Sequence, residues 1–131
     1  MPRSTCVEYV AGPHRWGKWY TPARFADGNT HANSDAGTER VPDIDRERDR
    51  HTLLGWDLEP GDCIAFHALT LHGAPGNPLD RRRRAFAARY TGDDARYTPR
   101  DGFMSPPPPT SGAPAPGRPM DSDAFPVVWP T

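Results

Sequence analysis

At 131 residues with 35% hydrophobic content, the chain has room for one domain and material for only a thin core. Its 16 basic side chains against 17 acidic ones leave a net charge of −1, which argues against nucleic acid or an anionic membrane as the main partner. No apolar run approaches a membrane span, and the first residues lack the apolar stretch of a signal peptide, so the expectation is a soluble, cytoplasmic protein.

Thr5 to Val10 is rich in β-branched and aromatic residues and reads as a short buried strand. Ala11-Gly12-Pro13-His14 breaks it. Arg15 to Phe25 carries Trp16, Trp19, Tyr20 and Phe25, an aromatic-rich loop or short helix. Residues 26–50 are polar and charged with no sustained period, a loop excursion from the core. His51 to Leu58 looks like a strand, closed by the turn residues Pro60-Gly61-Asp62. Cys63 to His67 and Thr70 to His72 read as two further short strands, followed by a Gly/Pro loop.

Arg84 to Tyr90 alternates, with Phe86, Ala88 and Tyr90 on one face and Ala85, Ala87 and Arg89 on the other. Proline is the outlier: 17 in all, ten of them from Pro99 onward. Pro106 to Pro109 favours polyproline II geometry and cannot form a central strand. Phe125, Val127, Val128 and Trp129 form an apolar end that could dock as a clasp. The expected organisation is a β domain over residues 1–98 and a Pro-rich irregular tail over residues 99–131. Cys6 and Cys63 form no metal spacing and read as small, partly buried thiols; whether they pair stays open. Several short strands with Gly/Pro turns point to an all-β sandwich or barrel, of which the jelly roll is one kind.

Two side chains stand out for chemistry. His72 lies at a strand end beside the small residues Gly73 and Ala74, where a metal ligand would find room. The bland alternative is an ordinary histidine bonding a loop carbonyl. Arg83 belongs to the run Arg81 to Arg84, which by itself is as well explained by a solvated basic turn. Arg83 shares a face with Ala85, Ala87 and Arg89, where small residues leave space for an anion held by arginine's planar fork. His67, five residues before His72, reads as a polar or packing side chain. His31 sits in a polar loop.

Several segments are similar to members of the phytanoyl-CoA dioxygenase family. Cys-Val-Glu-Tyr-Val-Ala-Gly-Pro-His-Arg (6–15) resembles the family's strand ending in a Pro-Gly-Ser-His-like turn, with Ala11 and Pro13 as departures. Leu58 to Asn77 resembles its Pro-Gly-Asp strand and distal metal histidine, and Asp80 to Tyr90 its arginine strand. Asn77 matches a frequent loop asparagine, and residues 92–97 look like the family's continuation. The resemblance implies a mainly β, partial double-stranded β-helix (jelly roll) with long irregular loops. It implies iron(II) bound by His72 and the cosubstrate 2-oxoglutarate anchored by Arg83. The implied reaction is hydroxylation of a small organic substrate, with 2-oxoglutarate decarboxylated to succinate.

The family's first metal histidine and its carboxylate form a His-x-Asp or His-x-Glu motif. None exists here: the residues two beyond His14, His31, His51, His67 and His72 are Trp16, Asn33, Leu53, Leu69 and Ala74. The expectation is a C-terminal portion of a dioxygenase, incomplete and inactive alone, with open sheet edges suited to a missing N-terminal half or to self-association. Two alternatives stay open: a non-catalytic β-sandwich binding or scaffold domain, and a cupin-like metal-binding protein using His67 and His72.

Overall fold

The computed structural model describes residues 1–21, 37–99, 107 and 109–129. Among these residues there is no α-helix. The architecture is mainly β, in short ladders joined by turns. The chain divides into two compact units, Met1–Ala85 and Phe86–Thr131.

The first unit is built around β1 (Glu8–Val10). A single 3-10 turn at Arg3–Thr5 leads into it and buries Thr5 and Cys6. Gly12 leaves it through a left-handed conformation (φ 84°), which glycine adopts without the penalty a Cβ would impose. Pro13, its φ already helical, then opens a second 3-10 turn over Pro13–Arg15. The expected break after the first strand is therefore present, one residue from where the strand ends.

β1 is the middle strand of a three-stranded antiparallel sheet, flanked by β4 (Leu53–Leu54) and β5 (His72–Gly73). Tyr9 stands opposite Leu54 on one side and His72 on the other. Directly opposed residues of an antiparallel pair share a face. Tyr9, Leu54 and His72 thus lie on one face, and Val10 and Leu53 on the other. Of the described apolar residues, Cys6, Tyr9 and Val10 form the buried core. A smaller sheet pairs β2 (Tyr20–Thr21) with β3 (Glu39–Arg40) in parallel. A Lys18–Glu39 ion pair of 2.8 Å and a 2.6 Å hydroxyl contact between Thr21 and Thr38 hold it.

The ladders are shorter than the residue pattern predicts. His51 to Leu58 contributes only Leu53–Leu54, because the end of that segment is taken by the N-terminus. Leu58 donates its N–H to the Met1 carbonyl (2.8 Å), its own carbonyl accepts from the Met1 amino group, and Arg3 N–H donates to the Asp57 carboxylate (2.7 Å). Of Thr5 to Val10, the first half is spent on the 3-10 turn. Of the strand expected at Thr70–His72 only His72 is in a ladder, and the strand runs on to Gly73. Cys63 to His67 and Arg84 to Tyr90 make no ladder among the described residues. The alternation of the latter buries nothing: Phe86 is 93% and Tyr90 75% exposed. A strand without a hydrogen-bonding partner has little to hold it.

In the second unit, Tyr97 exchanges backbone bonds with Gly117 (2.8 Å) and Arg118 (2.9 Å), around an antiparallel bridge between Arg96 and Pro119. Ser122 and Phe125 close a tight turn with reciprocal N–H···O bonds. Of the expected apolar clasp, Phe125 packs on Tyr97, with ring centroids 5.8 Å apart, while Val127, Val128 and Trp129 are exposed.

Candidate functional site

His72 sits on an edge strand, its ring in a three-ring cluster with two aromatics that also touch each other. Tyr9 lies 5.8 Å away, nearly parallel (23°), and Phe66 4.9 Å away. Its Nδ1 is 2.9 Å from the Thr70 carbonyl oxygen. A carbonyl can only accept, so Nδ1 carries the ring proton and Nε2 keeps its lone pair. This is the arrangement by which a second bond orients a ligating imidazole. A Cβ added at the adjacent Gly73 would meet no atom within 4 Å, so the strand is open on the face opposite the His72 ring, and His72 itself is exposed.

His67 is held the opposite way. The Leu69 N–H donates to its Nδ1 (3.1 Å), so the ring proton lies on Nε2. Its ring faces His14, 5.5 Å between centroids, and the chain turns between His67 and His72 through a Thr70 N–H to His67 carbonyl bond of 2.9 Å. His72 offers a lone pair where His67 offers a donor. A metal on His67 would first have to displace that backbone bond. His31 lies outside the described residues.

Arg83 reaches back to the sheet. Its Nη1 donates to the Thr5 carbonyl at 3.3 Å, just ahead of the strand that carries Tyr9. Asn77 ties the loop before it, donating from Nδ2 to the Arg81 carbonyl (2.7 Å) and accepting from Leu79 N–H (3.3 Å). All four arginines of the run, Arg83 included, are exposed, as the solvated-turn reading of the run expects.

Burial pushes the Tyr9 phenol above its ordinary value, with a smaller contribution from Cys6. At the outer edge of β1, Arg48 grips the Glu8 carboxylate with both nitrogens, at 2.8 and 2.9 Å. These bonds hold the Glu8 carboxyl below the usual range.

The sequence alone missed Tyr9, Phe66 and the Thr70 carbonyl as partners of His72. Tyr9 was within reach of it, since strand pairing alone would set Tyr9 beside whichever residue opposed it. The Thr70 bond depends on the turn over residues 67–70 and has no signature in residue type.

A profile of the family described as phytanoyl-CoA dioxygenase (PhyH) matches residues 1–85. The chain belongs to this family. The match closes at Ala85, where the first compact unit closes as well. His72 and Arg83 both fall inside it. No curated protein and no solved structure matches the chain.

Membership in a dioxygenase family implies iron, and the donors can be tested against it. Among the described residues no group of three His, Cys, Asp or Glu side chains could hold a metal ion. His72 gives one nitrogen, and its ring neighbours are carbon faces. A facial iron site takes two histidines and a carboxylate. The described residues do not, by themselves, fit the ion.

Proposed function

We propose that this chain acts as an oxygenase-type protein of the phytanoyl-CoA dioxygenase family, within a jelly-roll domain. His72 supplies one ligand to iron(II), and Arg83 the cation that receives the far carboxylate of 2-oxoglutarate. The other metal ligands come from outside the described residues. The observation that carries this reading is the His72 Nδ1–Thr70 carbonyl bond, which leaves Nε2 unprotonated on an open strand edge. The roles of the chain's own residues follow from that bond and its neighbours. Thr70 fixes the tautomer, Tyr9 and Phe66 fix the ring plane, and Asn77 shapes the loop that presents Arg83. Among the described residues Arg83 bonds to a neutral carbonyl and to no carboxylate, so its charge is open to an incoming carboxylate.

The opposite tautomers favour this reading over a metal pair of His67 and His72. A scaffold role, the other alternative, has no use for an oriented lone pair at His72. Titration of the full chain with nickel(II), followed by NMR of the imidazole protons, tests the assignment. His72 Nε2 should be the first nitrogen perturbed, and His72→Ala should weaken binding at least tenfold, the scale on which ligand orientation acts. Unchanged affinity in His72→Ala, or first perturbation at His67, would remove His72 from the role.

A further inference from the structure

Beside His72 the first unit holds a groove of about 230 Å³. Tyr9, Leu54, Trp56 and Phe66 form its walls, and His14 and His67 border it. Among the described residues no Asp, Glu, Lys or Arg lines it. Tyr9 and Phe66 belong both to this groove and to the stack around the His72 ring. A ligand seated in the groove therefore touches the two rings that contact the imidazole.

We infer that this groove takes a small, flat, uncharged molecule bearing one hydrogen-bond acceptor. The inference rests on the oxygenase reading in one respect: it makes such a molecule the substrate class of the same site. Three observations carry it. The walls are aromatic and packed at a tilt against one another, Tyr9–Phe66 at 4.9 Å and Tyr9–Trp56 at 6.1 Å, so they present ring faces and edges on which an aromatic ligand lies by offset or edge-to-face contact. The described lining offers a charged ligand no counter-charge, so nothing among these residues favours it over a neutral one. Of the polar lining residues His14, His67 and Thr70, His67 is directional, because the Leu69 bond leaves its Nε2 as an N–H donor. That donor recognises a carbonyl or ether oxygen. The size agrees: the groove falls below the ~300 Å³ at which drug-sized pockets begin, so the ligand is roughly of bicyclic size.

The test uses three probes of one shape on the full chain, without metal or 2-oxoglutarate: 1-indanone, indane and indane-2-carboxylate. Binding is read by saturation-transfer NMR and calorimetry. Indanone should bind at least threefold tighter than indane and at least tenfold tighter than the carboxylate. Phe66→Ala should weaken indanone binding about tenfold. Ala65→Trp, at an exposed position lining the groove, should block it while the circular dichroism spectrum stays native. His67→Phe should erase the preference for indanone over indane and keep the binding of both. Trp129→Ala, in the other unit, should change nothing. Equal or tighter binding of the carboxylate, or indanone binding untouched by both Phe66→Ala and Ala65→Trp, overturns the inference. Since neither iron nor cosubstrate is present, that failure would leave the nickel result at His72 standing, and the two readings fall separately.

Discussion

The ring of Tyr9 stacks beside that of His72, with centroids 5.8 Å apart and planes inclined by 23°. The two residues are opposed in neighbouring antiparallel strands, so backbone pairing and ring stacking reinforce one another. Tyr9 also touches Trp56 and Phe66, and it is buried together with Cys6, Val10 and Pro13.

Tyr9→Ala should therefore be severe. Truncating a buried aromatic costs about 3–5 kcal/mol, a large part of a small domain's stability. The expected outcome in thermal melts is loss of the cooperative transition, whereas Tyr9→Phe should keep it. The phenol adds a pH signature. Its folded value is raised by burial, so the folded state holds the proton more tightly than the unfolded chain. Stability is unaffected below the unfolded value of about 10 and falls as pH rises past it. Tyr9→Phe should lose less stability than the parent between neutral and strongly alkaline pH. An identical decline in both would refute the assignment.

Gly55 lies against the buried thiol of Cys6, where an added Cβ would come within 2.9 Å of Sγ. Cys6 is fully buried, so the sulfur has little freedom to retreat. Gly55→Ala should destabilise by roughly 1–3 kcal/mol through overpacking. Adding Cys6→Ala should recover part of that loss, since the two sites share one space. Urea denaturation of the double-mutant cycle measures the coupling, and simple additivity would count against the contact. Cys6 and Cys63 are both free thiols, one buried and one exposed. A thiol reagent should accordingly modify Cys63 rapidly and Cys6 only on unfolding.

The residue pattern reports the local turns better than the ladders. Pro60-Gly61-Asp62 does turn, with Gly61 at φ 103° and Asp62 N–H bonded to the Glu59 carbonyl, because those residue types carry their conformation locally. The break at Gly12-Pro13 is legible for the same reason. Strand length is not local. Leu58 leaves the ladder for Met1, a contact 57 residues away in sequence that no periodicity reports. The alternation in Arg84 to Tyr90 is real as a pattern, yet a pattern of period two needs a neighbour to become a strand. His72 was visible as a strand-end histidine beside small residues, and its tautomer was not, since that rests on a turn carbonyl. The parallel β2–β3 pair had no sequence signal in Tyr20–Thr21 or Glu39–Arg40, where two-residue strands are too short to show a period.

Glu8 and Arg48 provide an acid-dependent clasp between β1 and the 3-10 turn at Arg48–Arg50. The Glu8 carboxyl is depressed chiefly by its hydrogen bonds from Arg48. The sign follows directly. The contribution is complete above the unfolded value of about 4.3 and is lost as pH falls through the lower folded value. Glu8→Gln should lower the melting temperature slightly at pH 7, as expected for a partly exposed pair. The gap between parent and variant should close as pH drops through the acid range and shrink in high salt. A gap that widens on acidification would show that Glu8 acts in another way.

The remaining expectation concerns turnover. Nothing among the described residues joins His72 in a three-donor group, and one nitrogen cannot define a facial iron site. Arg83 can offer 2-oxoglutarate a single charged partner, which in exposed surroundings contributes weakly. The 131 residues incubated with iron(II), ascorbate and 2-oxoglutarate should therefore release negligible succinate. Fusing an upstream segment that bears a His-x-Asp motif should raise succinate formation well above background, and Arg83→Ala or His72→Ala in that fusion should remove it. The contrary result is equally readable. Clear succinate release by the 131 residues alone, abolished by His72→Ala, would mean that donors outside the described residues but inside this chain, such as His31 or Asp35, complete the set around His72.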